Sequence, residues 1–230
     1  MMKPTVVILA LMASGCSQQS AAEKSAQPAV AAHASPQPKG RYAPRNECGS
    51  LPGADDFHEH LVEAVQLRDT KALGALADPK IKLDFGGGGG VEELKHRLDT
   101  GAPDHDLWAS LEQLLKLGCA KGQGNEIVMP WLFAQELASN VDPTAAMLVM
   151  GEDVPILSKP SASAKPIGTI SWDIVNLSAF DPEKPFQPVS MPMHQEGWMA
   201  TDKLRPVLDY RLMAEREGGQ WRITALVAGD

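Results

Sequence analysis

The spacing of apolar residues changes part-way along this chain, and that change restricts the fold more than any other feature. Between about residues 54 and 118 most apolar positions recur at helical intervals. From residue 146 they come in short runs with Pro, Gly and Ser between them. A 3.6-residue period buries one stripe of a helix, and a two-residue period buries one face of a strand. A chain that carries the two in succession is expected to be α+β, with a helical N-terminal region packed on a small antiparallel sheet.

The helical stretch can be read turn by turn. Asp55 and Asp56 precede Phe57, Leu61, Ala64 and Val65, which is an acidic start followed by helical spacing. Asp69 or Thr70 can cap a second short helix carrying Ala72, Leu73 and Leu76, stopped by Asp78-Pro79. Ile81 and Leu83 alternate with polar neighbours and predict a strand ending at Phe85. Helices are expected after the glycine run, carrying Val91, Leu94 and Leu98, and from about Asp104, the latter closed by Gly118. Ile127 to Met129 predicts a strand ended by Pro130.

The chain closes on a hairpin. Tyr210, Leu212 and Ala214 alternate with Arg211, Met213 and Glu215, Gly218-Gly219 makes the turn, and Trp221, Ile223, Ala225 and Val227 alternate with Arg222 and Thr224. Strands this apolar need partners. They are expected to pair with the strands near Ile81 and Ile127, which would insert the intervening β segment into one α+β unit.

The N-terminus adds a compartment. Lys3 precedes the apolar run Val6 to Met12, which is far short of the ~20 residues that span a bilayer but suits an export signal. Ala13, Ser14 and Gly15 are small, and Cys16 follows. The run resembles the lipobox of bacterial lipoproteins, although Ala13 stands where Leu is usual. The resemblance implies removal of residues 1–15 and lipidation of Cys16. Ser17 after the cysteine implies outer-membrane sorting, with the protein facing the periplasm. Residues 16–45 are rich in Ala, Ser, Gln and Pro and read as a disordered tether. With a net charge of −8 and no basic stripe, the chain is a poor partner for nucleic acid or anionic lipid, so membrane attachment would rest on Cys16.

Cys48 and Cys119 are the remaining cysteines. In an oxidising compartment two thiols usually pair. The alternative is a nucleophilic Cys119 served by His58, His60 or His96. The run Gly86 to Gly90 lacks the Lys and Ser/Thr of a phosphate loop and is followed by Glu92 and Glu93, so it reads as a permissive turn. Glu93 and His96 form a single Glu-x-x-His, short of a di-metal set. The mature chain contains neither G-x-S-x-G nor H-E-x-x-H, and no cofactor motif is present.

Within residues 147–206, Val154 to Pro160, Lys165 to Ile170, and Gly197-Trp198-Met199 with Asp202, Lys203 and Leu204 resemble the opening, second and closing segments of bacterial SH3-type (SH3b) domains. Leu157 replaces the usual arginine. The Pro-rich stretch from Ala179 to Gln195 is read as lacking the aromatic-x-x-Val strand that lines the ligand groove. The resemblance implies an SH3-like β-barrel over residues 146–207, between a helical α+β region at 46–145 and the hairpin at 208–230. The ending GGQWRITALVAGD resembles the closing strands of NTF2-like α+β folds. Trp172, Phe180, Phe186 and Trp198 are the candidate ligand-binding aromatics, with packing in the core as the competing role for each tryptophan. The expected function is a non-catalytic envelope lipoprotein that binds an envelope protein or the peptide of peptidoglycan. A cell-wall hydrolase using Cys119, or a structural assembly subunit, is the alternative.

Overall fold

The structure is a computed structural model, and it describes residues 38–101, 106–139, 141–190 and 196–229. The export signal, Cys16 and most of the tether lie outside the described residues.

Four helices and two sheets make a mixed α+β fold among these residues. The helices are α1 (Ala54–Gln66), α2 (Thr70–Leu76), α3 (Val91–Thr100) and α4 (Leu107–Lys116). The first sheet is built from β1 (Ala77–Lys82), β2 (Ala120–Lys121), β3 (Glu126–Met129), β11 (Arg211–Glu217) and β12 (Gln220–Val227), in the order β1-β12-β11-β3-β2. The C-terminal hairpin therefore sits at its centre: β11 runs antiparallel to β3, but β12 runs parallel to β1, so the sheet is mixed and not the antiparallel one that the sequence predicts. Leu212, Ala214, Trp221 and Ile223 point to one face and join Phe57, Leu61, Leu73, Leu94, Leu111 and Leu114 in one core. Burial of such side chains contributes ~1.5–3 kcal/mol each. The Trp221 ring leans on Phe57, and its Nε1 donates to the Pro52 carbonyl at 3.0 Å, so the indole N–H is satisfied inside the core.

Helix ends follow the sequence closely. Asp69 accepts from Ala72 N at 2.9 Å and caps α2. Asp106 accepts from Trp108 N and Ala109 N and caps α4. Gly118, with φ at 78°, follows the last turn of α4, and a Cβ there would collide with the Arg45 carbonyl.

The five-glycine run is organised around a carboxylate. Asp84 accepts from Gly86 N (2.9 Å), Gly88 N (2.7 Å) and Arg97 Nη2 (2.7 Å). Arg97 also binds Glu93 at 2.8 Å. A side chain at Gly88 would run into Asp84 and Arg97. The loop thus holds its own anion, and the run is a close-approach turn. The Arg97 hydrogen bond, followed by the Gly88 amide, holds the Asp84 carboxyl below its ordinary value. A carboxylate with a depressed folded pKa stabilises above the unfolded value of about 3.9, and that stability is lost as pH falls through the folded value. Asp84→Asn is therefore expected to lower the urea midpoint at neutral pH. The gap from wild type should close as the pH drops below about 4; a gap unchanged by acid would contradict this role.

The second sheet contains β4 (Ala146–Val149), β5 (Val154–Leu157), β6 (Pro166–Ile170), β7 (Ile174–Asn176), β8 (Phe186–Ser190), β9 (Glu196–Ala200) and β10 (Leu204–Pro206). Its order is β10-β4-β7-β8-β9-β5-β6, antiparallel throughout. No ladder joins β10 to β6 among the described residues, so the expected closed barrel is not formed by hydrogen bonding. The sheet nevertheless curls around its own core. Met147, Val154, Ile156, Val175, Val189, Met199 and Leu204, drawn from both halves of the strand order, share one buried cluster. Gly197 is required by that curl, because a Cβ on it would meet the Ile156 side chain.

Between the sheets lies a third cluster of Tyr42, Leu117, Leu132, Ala146, Leu148, Ile174 and Val207. Tyr42 and Ala43 are buried, so the chain is already packed before residue 45, where the tether was expected to end. Arg205 is buried here beside Asp209 (3.2 Å) and donates to the Tyr210 carbonyl at 2.7 Å. Desolvation pulls its guanidinium below its ordinary value, partly offset by Asp209.

Candidate functional site

Cys48 and Cys119 form a disulfide with Cα atoms 5.8 Å apart. Backbone bonds from Glu47 N to Cys119 O and from Cys119 N to Arg45 O, each 2.8 Å, flank it. The Cys119 sulfur is thus bonded and buried, not a thiolate beside a histidine. Among the described residues no group of three or more His, Cys, Asp or Glu side chains is placed to hold a metal ion. No described helix is long and apolar enough to cross a membrane.

The four candidate aromatics do not share one groove. Trp172 packs against the cluster between the sheets, and its backbone bonds to Gly151 O and Tyr42 N. Its φ of 41° belongs to the turn that makes these bonds. Phe180 is exposed on the loop before β8. Phe186 is half-buried at the start of β8, opposite Ala200. That loop is tied by Gln187, a buried side chain that donates to Asp181 O (2.6 Å), Lys184 O (3.3 Å) and Thr201 Oγ1 (3.0 Å).

Trp198 lines a cleft. This depression of about 420 Å³ lies on the outer face of β7, β8 and β9. That size is within the ~300–1,000 Å³ of small-ligand sites. Strand register explains the lining. Asn176 stands opposite Ser190, and Ser190 opposite Glu196, which makes a polar row across three strands. Two residues along, on the same face, Pro188 stands opposite Trp198. Ser178 and Ser158 complete the rim. None of the Ser158, Asn176, Ser178, Ser190, Glu196 or Trp198 side chains is hydrogen-bonded to another described residue, whereas Gln187 and Thr201 close by are fully engaged.

Sequence reasoning placed only Trp198 here. The polar row was missed because Ala179–Gln195 was read as lacking a groove strand. In the structure Phe186–Ser190 is β8, and Phe186 and Val189 have the aromatic-x-x-Val spacing thought absent. Alternation of exposed and buried positions along Phe186–Ser190 and Glu196–Ala200 was the available signal.

A second depression lies on the face of the first sheet away from the helices. Arg211 stacks on Phe133 (4.2 Å) and faces Phe85 (5.4 Å), while Met213, Ala225 and Val227 contribute to its lining. Arg211 also donates to Gly229 O at 2.6 Å, so it fastens the end of β12. Further along that face Glu215 stands opposite Glu126, whose carboxyl is pushed up by burial and by Glu215.

No protein-family model matches the chain, and no curated protein matches it. The functional reading therefore rests on the residues themselves.

Proposed function

We propose that this chain is a non-catalytic envelope lipoprotein whose second sheet is an SH3-like binding module. Cys16 carries the lipid and anchors the protein to the outer membrane, facing the periplasm. The Ala-, Ser-, Gln- and Pro-rich stretch after it serves as the tether. The observation that carries the binding reading is the Trp198 cleft, where an indole and five polar side chains that make no hydrogen bond to another described residue line one depression. The motif matches at Val154–Pro160 and Gly197–Met199, together with the antiparallel curl of the strands that bear them, support the SH3-like assignment. The ligand is a cell-wall fragment or an envelope protein segment. A hydrolase reading needs a Cys119 thiolate, and that sulfur is bonded to Cys48.

Hydrogen exchange of the mature protein with soluble peptidoglycan fragments, bearing both glycan and stem peptide, tests this. Slowed exchange is expected in Phe186–Ser190 and Glu196–Ala200. Protection confined to the helices, or none anywhere, would remove the cell wall as the ligand of this cleft.

A further inference from the structure

We propose that the Trp198 cleft recognises the uncharged glycan of the cell wall, not its acidic stem peptide; this rests on the binding reading given above. Three features of the cleft point to it.

The first is charge. Among the described residues no Lys or Arg lines the depression, and the one ionisable side chain in its lining is Glu196. A carboxylate-bearing stem peptide would bring negative charge to a site that offers no cation, and a like charge there is repulsive. A neutral sugar brings none.

The second is the donor and acceptor inventory. Ser158, Ser178 and Ser190 each both donate and accept, Asn176 offers an amide N–H₂ and a carbonyl, and Glu196 accepts. Sugar hydroxyls and acetamido groups need that mixture over a short span. The register packs Asn176, Ser190 and Glu196 into one cross-strand row, one step from the Trp198–Pro188 pair. Polar groups thus flank an aromatic platform. The face of an indole is the negative side of its quadrupole, and the C–H bonds of a pyranose face present the complementary positive side.

The third is what the cleft lacks for a peptide. Extended peptides commonly add to an open sheet edge. Here β8 is paired to β9 along five residue pairs and joined to β7 at Asn176–Ser190 under the polar row, and the β8 edge beyond that pair carries Pro188, which has no N–H to offer an added strand. Polyproline ligands dock between several aromatics, and Trp198 is the only one in this lining.

The test uses titration calorimetry on the whole mature chain with two probes: chitotetraose, an uncharged N-acetylglucosamine oligomer, and a synthetic stem pentapeptide. Chitotetraose is expected to bind. The double variant Asn176→Ala/Glu196→Gln should weaken it roughly tenfold or more, as loss of hydrogen bonds including a charged one predicts. Both side chains are exposed, so the thermal midpoint of the variant should match wild type. Binding of the pentapeptide without chitotetraose would overturn the glycan assignment and leave the binding module standing. Binding of neither probe would overturn both. Chitotetraose binding that the double variant leaves intact would overturn the assignment of the sugar to this cleft.

Discussion

Replacing both Cys48 and Cys119 with serine is expected to lower stability by about 4 kcal/mol, the largest effect on folding anticipated here. The bridge spans 71 residues of sequence and sits in the first core, so cutting it returns a long loop to the unfolded ensemble. For a chain of this size each kcal/mol moves the midpoint by roughly 2–4 °C, so the thermal transition should fall on the order of 10 °C. Circular dichroism melts of the mature protein, with and without reductant, measure it. Reduced wild type and the double serine variant should melt alike. The double variant is preferred to either single one, which would leave an unpaired thiol in the core. A shift of under about 2 °C would mean that the flanking backbone bonds and core packing, without the covalent link, carry this junction.

The strands and helices of the first sheet were largely legible because their burial is one-sided. The periods of α1 and α4 are unmistakable once Phe57, Leu61 and Val65, or Leu107, Leu111 and Leu114, are aligned. Gly218-Gly219 between two alternating runs marks the hairpin, and its apolar content demanded the partners β1 and β3. Residues 38–45 were harder, since a single Tyr42 between charged and proline neighbours carries no period, yet it fills the gap between the sheets. β8 was obscured by Pro188, a residue that demotes a strand reading. The structure tolerates it because β8 meets β7 at only one residue pair, Asn176–Ser190. A strand laddered along both sides would have lost more.

The candidate site was less legible than the fold for a related reason. A cleft on a sheet face is assembled by register, which brings residues 158, 176, 190 and 196 together from four parts of the chain. Aromatic residues can be picked out one at a time, and that is why Trp172 looked equivalent to Trp198. Only the fold separates them, turning Trp172 into the inter-sheet cluster and leaving Trp198 on the open face.

Trp198→Ala should have the largest effect on function. A half-buried indole beside a polar row fits the description of a binding hot spot, whose truncation costs about 2 kcal/mol or more, on the order of 30-fold in affinity. Its backbone ladder with β8 does not depend on the ring. Phe85 provides the comparison: it is 49 % exposed on the first sheet's side of the molecule and lines the other depression. Co-sedimentation of the mature protein with purified peptidoglycan sacculi tests the central claim most directly. Wild type and Phe85→Ala should pellet with the sacculi, while Trp198→Ala should stay in the supernatant. Equal retention of Trp198→Ala and wild type, or loss of binding in Phe85→Ala instead, would contradict the account.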